Sequence, residues 1–394
     1  MAEKMAEKIK VLEVLDTYYP KFDGPCLVVT SLAKSFIKSG KADVKVAVPR
    51  FPKYKDEQPF EVFRFSSMPS KEGYYCGLPK IDCKLKKFLK QNKFDIIHIH
   101  SPFTACKFFA SYGKKHKIPT VFTFHTKYGE DFDRLIKLKS IRKFMMNYIM
   151  KNINNVDYVW TVSDGAAECL KSYGYKKDIK VIRNGTDLVY PSDTIKLIQS
   201  INEKYSLDAG QTVLLSVGRI VENKKLQLAL NALKQVSDKG YDFKYIIVGS
   251  GNYENELKRL VSRLCLDDKV IFAGKIMDRT LLSAHYLRAN LFVFPSTFDT
   301  ASLSPIEAAA MKLPTIMTKG CSSAEIITDD VNGYLAEESI DAWAEKILEI
   351  LDAPDKLSLM KEKTYEQVYR TWDSVAEEIL DNYNKILGES KNAL

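Results

Sequence analysis

The sequence predicts an α/β protein built from two parallel-sheet domains. Three observations carry this. Apolar, β-branched runs alternate with helix-like segments, as in a parallel sheet with helices on both faces. The alternation breaks once, around 184–211, and then restarts. The chain, at 394 residues, also exceeds the length over which one core keeps growing.

In the first half, strands are predicted at 8–18, 43–48, 61–65, 95–100, 120–125, 157–162 and 180–182. Helices are predicted between them at 29–39, 82–91, 105–116, 134–152 and 165–173. In such sheets ligands sit beyond the carboxyl ends of the strands. Residues of chemical interest fall at those ends: the loop YYPKFDG with Tyr19 and Gly24, then His98, His100, His125 and Ser163. Three of the five histidines lie at the tips of two consecutive strands, which points to a site. They lack a third ligand at metal-binding spacing, so no metal is expected.

The segment 134–152 is basic and amphipathic. Leu135, Leu138, Ile141, Met145, Tyr148 and Ile149 share one stripe, and Lys137, Lys139, Arg142, Lys143 and Lys151 crowd the rest. Such a helix either lies in a membrane interface or covers a core with a lysine outer face.

Turn signals at Asn184-Gly185 and Leu207-Asp208-Ala209-Gly210 place the domain boundary in this region, giving domains 1–187 and 188–372. The second half restarts with strands at 212–217, 243–248, 269–272, 291–294, 314–317 and 334–335. After the first comes Gly218-Arg219, with Lys224 and Lys225 close behind. Arg offers a planar fork and Lys a point charge, and both suit phosphate. Gly249-Ser250-Gly251 ends the next strand, and Gly274-Lys275-Ile276 the third, where its backbone can meet a base. No phosphate-loop motif GxxxxGK[ST] occurs.

The richest stretch is LFVFPSTFDTASLSPIEAAA, 291–310. A buried strand ends at Pro295, small and polar residues follow, and Pro305 falls in the first turn of a helix. First-turn amides have no internal partner and the helix dipole is positive there, so the turn suits an anion. Asp299 and Glu307 bracket it. A ligand with central phosphates and hydroxyls at both ends would fit. Taken alone, the stretch is equally an ordinary βα turn with two solvated acids.

Composition narrows the class. Of all residues, 45% are hydrophobic and 28% charged, as in globular proteins. Seven scattered cysteines without a CxxC pair argue for a reducing compartment. The N-terminus, MAEKMAEKIKVLEV, has no signal-peptide core, and no apolar run approaches the roughly 18 residues of a membrane span. A cytoplasmic protein is expected. Residues 1–187 hold 35 Lys+Arg against 20 Asp+Glu, a net +15, whereas 188–394 hold 24 against 30, a net −6. The first half therefore suits an anionic partner or simply carries a solubilising lysine surface.

Read together, these landmarks resemble the retaining GT-B glycosyltransferases of family 4. The motifs are YYPKFDG, DIIHIHSP, FTFHTKY, VWTVSDGAAECL, VIRNGTD, SVGRIVENKK, IIVGSGNYENEL, VIFAGKI and FPSTFDTASLSPIEAA, in that order. FHTKY with VWTVSDGAAE is similar to bacterial envelope and glycolipid members. The resemblance implies two Rossmann-like domains facing across a cleft, with a final helix, 373–394, returning to the first. It implies a nucleotide-sugar donor held by the second domain: Arg219 and Lys224 on the diphosphate, Glu307 on the ribose, and the amides near Leu303 and Ser304 on the phosphates. Asp299 and Ser302 would meet the transferred sugar, with Gly218, Gly249, Lys275 and Ile276 lining the donor. From the first domain His125 would touch that sugar and the Gly24 loop would approach the phosphate. Tyr19, His100, Lys127 and Ser163 fall on the acceptor side. The chain departs from the family pattern at Asp299, which replaces the first acid of E-x7-E, at 299–303, where the usual glycine between the acids is missing, and at Gly24-Pro25, where relatives often have two glycines.

The implied protein is a metal- and cofactor-independent hexosyltransferase that moves a hexose from a UDP-sugar to a membrane-associated lipid or lipid-linked glycan. It would sit on the inner face of the cell membrane, docked through 134–152, and bind no nucleic acid. A soluble sugar acceptor is the alternative within the fold. A non-catalytic nucleotide-sugar or nucleic-acid binding protein is the alternative outside it.

Overall fold

A computed structural model describes residues 8–21, 23–70 and 73–392. Phe22 of the first-loop motif and residues 1–7 of the N-terminal stretch lie outside the described residues. The chain forms two compact units: one runs to Asn184 and resumes at Trp372, and the other is Gly185–Thr371.

In the first unit, β1 (Ile9–Val14), β2 (Ala42–Pro49) and β3 (Glu61–Phe65) precede a small antiparallel hairpin, β4 (Ser67–Pro69) with β5 (Tyr75–Gly77). Then come β6 (Ile96–Ile99), β7 (Thr120–Phe124), β8 (Tyr158–Thr161) and β9 (Ile179–Val181). The main sheet is parallel, in the order β3-β2-β1-β6-β7-β8-β9. The second unit holds β10 (Val213–Val217), β11 (Lys244–Val248), β12 (Val270–Gly274), β13 (Leu291–Phe294), β14 (Thr315–Thr318) and β15 (Tyr334–Ala336). Its parallel sheet runs β12-β11-β10-β13-β14-β15. Both are doubly wound. The winding reverses between β1 and β6 and between β10 and β13, where such sheets open a crevice.

Side-chain alternation explains the layers. Along β10, Leu214 joins a core with the helices Leu226–Asp238 and Ile340–Asp352. Its neighbours Val213 and Leu215 join the opposite core, with Thr194–Tyr205, Arg279–Arg288 and Leu303–Ala310. A strand covered on both faces reads as a continuous apolar run. The final helix, Trp372–Asn392, belongs to the first unit, where Ser35 Oγ donates to Asp373 Oδ1 at 2.7 Å.

Three elements differ from expectation. The strand predicted over 8–18 stops at Val14. The helix predicted from 29 begins at Gly24, because Asp23 caps it through Cys26 N and Pro25 sits where no N–H is needed. The single helix predicted over 134–152 is two, Tyr128–Leu135 and Lys139–Ile153, with Ile136 and Leu138 extended between them. No glycine or proline marks that break, so the apolar period runs through it.

The carboxyl ends of β10, β11 and β12 are tied by backbone bonds: Gly218 N to Val248 O, Ile220 N to Ser250 O and Gly249 N to Gly274 O, at 2.8–3.0 Å. A Cβ on Gly249 would lie 1.8 Å from the Gly218 carbonyl oxygen, at a φ of +145°. Neither backbone can yield cheaply. Gly249→Ala is expected to destabilise the second unit by about 2–4 kcal/mol. Thermal unfolding measures this, and a melting temperature equal to wild type would refute it.

Candidate active site

In the second unit, the loops after β10 and β13 meet around a cavity lined by Gly218, Arg219, Lys224, Phe294, Pro295 and Ser296. It lies at the switch point of the sheet. Arg219 is exposed. The short turn Glu222–Lys224 brings the Lys224 ammonium to 5.5 Å from the centre of the Phe294 ring. There it donates to both oxygens of Asp299, at 2.6 and 2.7 Å, and Ser296 Oγ donates to Asp299 Oδ2 at 2.5 Å. Ser323 Oγ links the loop, donating to Asp299 O at 3.0 Å and accepting from Ser302 N at 3.3 Å.

Ser302 then starts the helix Leu303–Ala310, and its side chain makes no capping bond. One turn on, Glu307 is buried. Oε1 accepts from Arg279 Nη2 at 2.8 Å and Oε2 from the Tyr286 hydroxyl at 2.9 Å. Arg279 also pairs with Asp187. Burial alone would lower the proton affinity of Arg279, but Glu307 and Asp187 outweigh it and hold the guanidinium above its usual value. Burial, and then Glu307, push the Tyr286 hydroxyl well up.

In the first unit, the register of β1 on β6 sets Glu13 beside His98. Glu13, His98, His100 and His125 are all buried. His100 Nε2 lies 2.6 Å from Glu13 Oε2, and His100 Nδ1 lies 2.9 Å from His125 Nε2. His98 bridges the Tyr383 hydroxyl, 2.6 Å from Nδ1, and Thr123 Oγ1, 2.7 Å from Nε2. Burial lowers the proton affinity of all three rings, and neighbouring rings lower that of His98 and His125 further; His100 falls to about 3. Burial pushes the Glu13 carboxyl well up, opposed by the Tyr383 hydroxyl.

Comparison with known proteins settles what this arrangement belongs to. The family model "Glycosyltransferase Family 4" matches residues 24–190, and "Glycosyl transferases group 1" matches 198–367. The α-monoglucosyldiacylglycerol synthase of Streptococcus pneumoniae is 27% identical over 362 residues, which span 89% of this chain and 80% of that one. The crystal structure of Anabaena HepE in complex with UDP superposes with a TM-score of 0.77, at 18% identity, over 96% of this chain and 100% of that one. The chain is a family 4 glycosyltransferase with the GT-B fold. A further relative, at 22% identity over 94% of this chain and 95% of that one, is the GDP-mannose-dependent α-(1-6)-phosphatidylinositol dimannoside mannosyltransferase of Mycobacterium tuberculosis.

Within this glycosyltransferase, Gly218, Arg219, Lys224, Gly249, Lys275, Ile276, Asp299, Ser302, Leu303, Ser304 and Glu307 all stand at or near the carboxyl ends of the second sheet. Gly24 opens the first-unit helix capped by Asp23. The acceptor-side expectations divide. Tyr19 is half-buried beside Tyr18, and its carbonyl accepts from Arg64 Nη2 at 2.7 Å. Lys127 pairs with Glu130 at 3.8 Å. His100 is 1% exposed, with Glu13 on one nitrogen and His125 on the other, so it stands behind His125 and does not face an acceptor. Ser163 is buried and caps the helix Asp164–Ser172 by accepting from Ala166 N at 3.1 Å, which is a structural task.

Sequence reasoning missed Glu13, Tyr383, Arg279, Tyr286 and Ser296. Only Glu13 left a signal: a lone acid inside the apolar run IKVLEV.

The histidine cluster makes the glycosyltransferase acid-sensitive in a defined window. The native rings stay neutral where the unfolded ones charge, near pH 6.5, so their contribution to stability is present above that value and lost as pH falls toward 3. Glu13 acts oppositely, binding one proton more in the native state above its usual value. Asp16 of the same unit, raised by burial to about 6, does the same, and three protons against two leave a net loss approaching about 1.4 kcal/mol per pH unit between roughly 6 and 4.5. Urea unfolding followed at Trp160, with Trp343 and Trp372 replaced by Phe, should show a midpoint that drops as pH falls through this window and declines slightly as pH rises from 7 to 8, where Glu13 still holds its extra proton. A flat profile throughout would refute the neutral assignment.

Proposed function

We propose that the protein is a retaining hexosyltransferase that moves a hexose from a UDP-sugar to a diacylglycerol-type lipid or lipid-linked glycan at the inner face of the cell membrane, with no metal or cofactor. The carrying observation is a surface in the first unit: Leu135, Leu138, Ile141 and Phe144 are exposed, at 65, 61, 44 and 68%. Lys137, Lys139 and Lys143 are exposed among them. Of the two readings of the apolar stripe, core covering holds only from Met145 onward, ending in buried Ile149 and Ile153. Apolar side chains set among lysines suit an anionic bilayer surface. Among the described residues no helix is long and apolar enough to cross a membrane. The printed names of the pneumococcal and mycobacterial relatives, a diacylglycerol glucoside synthase and a phosphatidylinositol mannoside transferase, support a lipid acceptor. UDP in the Anabaena structure supports the choice of base.

The donor site works by exchange of partners. Asp299 neutralises Lys224. A diphosphate draws Lys224 and Arg219 to itself, and Asp299 is then available for hydroxyls of the sugar. The uncapped first-turn amides of Leu303–Ala310 add their dipole. Glu307 is held by one donor on each oxygen, and each oxygen keeps a lone pair for a ribose hydroxyl. The bond from the anomeric carbon to the diphosphate breaks while the acceptor oxygen bonds to the same face of that carbon. The acceptor proton passes to the departing phosphate oxygen. Arg219, Lys224 and the helix start stabilise the charge that develops there.

Two outcomes are expected. Glu307→Ala should weaken UDP-sugar binding by about 10- to 100-fold, the cost of losing a charged hydrogen-bond partner, with little change in fold. Thermal stabilisation by UDP-, GDP- and ADP-sugars reads it, and unchanged affinity would contradict the ribose role. Leu138→Glu with Phe144→Glu should abolish co-sedimentation with phosphatidylglycerol vesicles and cut activity on a vesicle-borne acceptor, while donor binding stays intact. If vesicle binding and lipid glycosylation survive these changes, docking through this surface is wrong.

A further inference from the structure

The described residues hold one set of ligand atoms close enough for an ion: Glu13, His98 and His100 lie within 4.8 Å of one another. Their spacing is that of hydrogen bonds. Glu13 Oε2 and His100 Nε2 are 2.6 Å apart, whereas two ligands at about 2 Å from one zinc stand roughly 3.3 Å apart. The chain of contacts runs instead from Glu13 to His100 to His125.

Proton placement along this chain is not free. Each imidazole in its neutral form has one donor nitrogen and one acceptor. If Glu13 donates to His100 Nε2, then His100 must carry its proton on Nδ1 and donate to His125 Nε2, and His125 carries its own on Nδ1. If Glu13 is a carboxylate, every proton shifts and His125 carries its proton on Nε2. The protonation of one buried acid thus decides the tautomer of a histidine two hydrogen bonds away. The surroundings choose between the two. Glu13 is fully buried, and its Oε1 has no hydrogen-bond partner. An unpartnered oxygen of a neutral acid costs far less than one of a carboxylate. The other groups packed here are the His98 ring, Tyr383 from the final helix and Trp160, whose ring lies 5.2 Å from His98. None of these supplies a positive charge while the rings are neutral, and the Tyr383 hydroxyl, which favours the carboxylate, is outweighed by burial.

We infer that Glu13 and His100 are positioning residues: a protonated Glu13, acting through His100, holds His125 as the Nδ1–H tautomer that meets the transferred sugar. The encounter with sugar rests on the proposed reaction and on the role that the family resemblance implies for His125, but the tautomer rests on neither.

The test separates the two. Imidazole nitrogen shifts of ¹⁵N-histidine-labelled protein, recorded without substrate at pH 7.5, should show the His125 proton on Nδ1 in the wild type and in Glu13→Gln, whose amide can donate where the carboxyl did. Glu13→Leu should weaken this preference and move the His125 nitrogen shifts away from it. In turnover, Glu13→Gln should keep kcat within about threefold, and Glu13→Leu should lower it about 10- to 100-fold with KM for the donor little changed, the scale seen when the group behind a functional histidine is removed. A wild-type His125 protonated on Nε2 would overturn the inference without any variant, as would equal losses in Glu13→Gln and Glu13→Leu. The expected tautomers with unchanged kcat in Glu13→Leu would overturn the positioning role, whereas absence of turnover in the wild type would count against the proposed reaction alone.

Discussion

A parallel strand buried on both faces has only its ends in which to place charge. That constraint organises both units. β10 and β13 carry no ionisable side chain within their ranges, and their chemistry begins at the residues just beyond, Arg219 after one and Asp299 after the other. The backbone there must turn sharply while neighbouring loops pack edge to edge. The close approach of Gly249 to Gly218 is what lets the strand ends form a shared rim. The cavity follows from the winding of the sheet.

Charges gathered at such a rim need counter-charges close by. The second unit does this with paired groups: Lys224 with Asp299, and Arg279 with Asp187 and Glu307. The two arrangements differ in how their acids are held. Lys224 and Asp299 are each other's counter-charge, and an incoming phosphate can replace Asp299 in that role. Glu307 is buried and fixed on both oxygens, so breaking its contacts would strand a charge. One acid is built to move its partner, and the other to stay.

Much of this was legible in the sequence, for reasons that particular residues make plain. Strand ends show because apolar runs stop abruptly, as at Phe294-Pro295, and the candidate donor residues lie within a few positions of such stops. What pairs with what was not legible. Glu13 meets His98 through strand register across 85 residues, and Arg279 and Tyr286 reach Glu307 from a helix that packs on the same face. The placement of His100 and Ser163 failed for a related reason. A polar residue at a strand end is equally a ligand contact, a cap or an internal hydrogen-bond partner, and only the neighbouring strand or helix decides. The helix at Gly24 was missed because Gly-Pro reads as a loop unless Asp23 is recognised as its cap.

Glu13 breaks the rule that strand interiors hold no charge, and the proposed reaction supplies a reason. Glycosyl transfer builds positive charge at the anomeric carbon and negative charge on the leaving phosphate. Cations suit the second and oppose the first. Arg219 and Lys224 provide for the phosphate within the second unit. A histidine that is to meet the sugar, as the family resemblance implies for His125, must stay uncharged, and burial among aromatic rings, with the neutral acid inferred for Glu13 behind it, serves that. A lysine or arginine in place of Glu13 would bring charge to this cluster, and an aliphatic residue would remove Glu13's hold on the imidazole tautomer. A buried acid that keeps its proton avoids both. Tyr383 adds the final helix to the same network, so that the return of the chain to its first unit completes the packing around these rings.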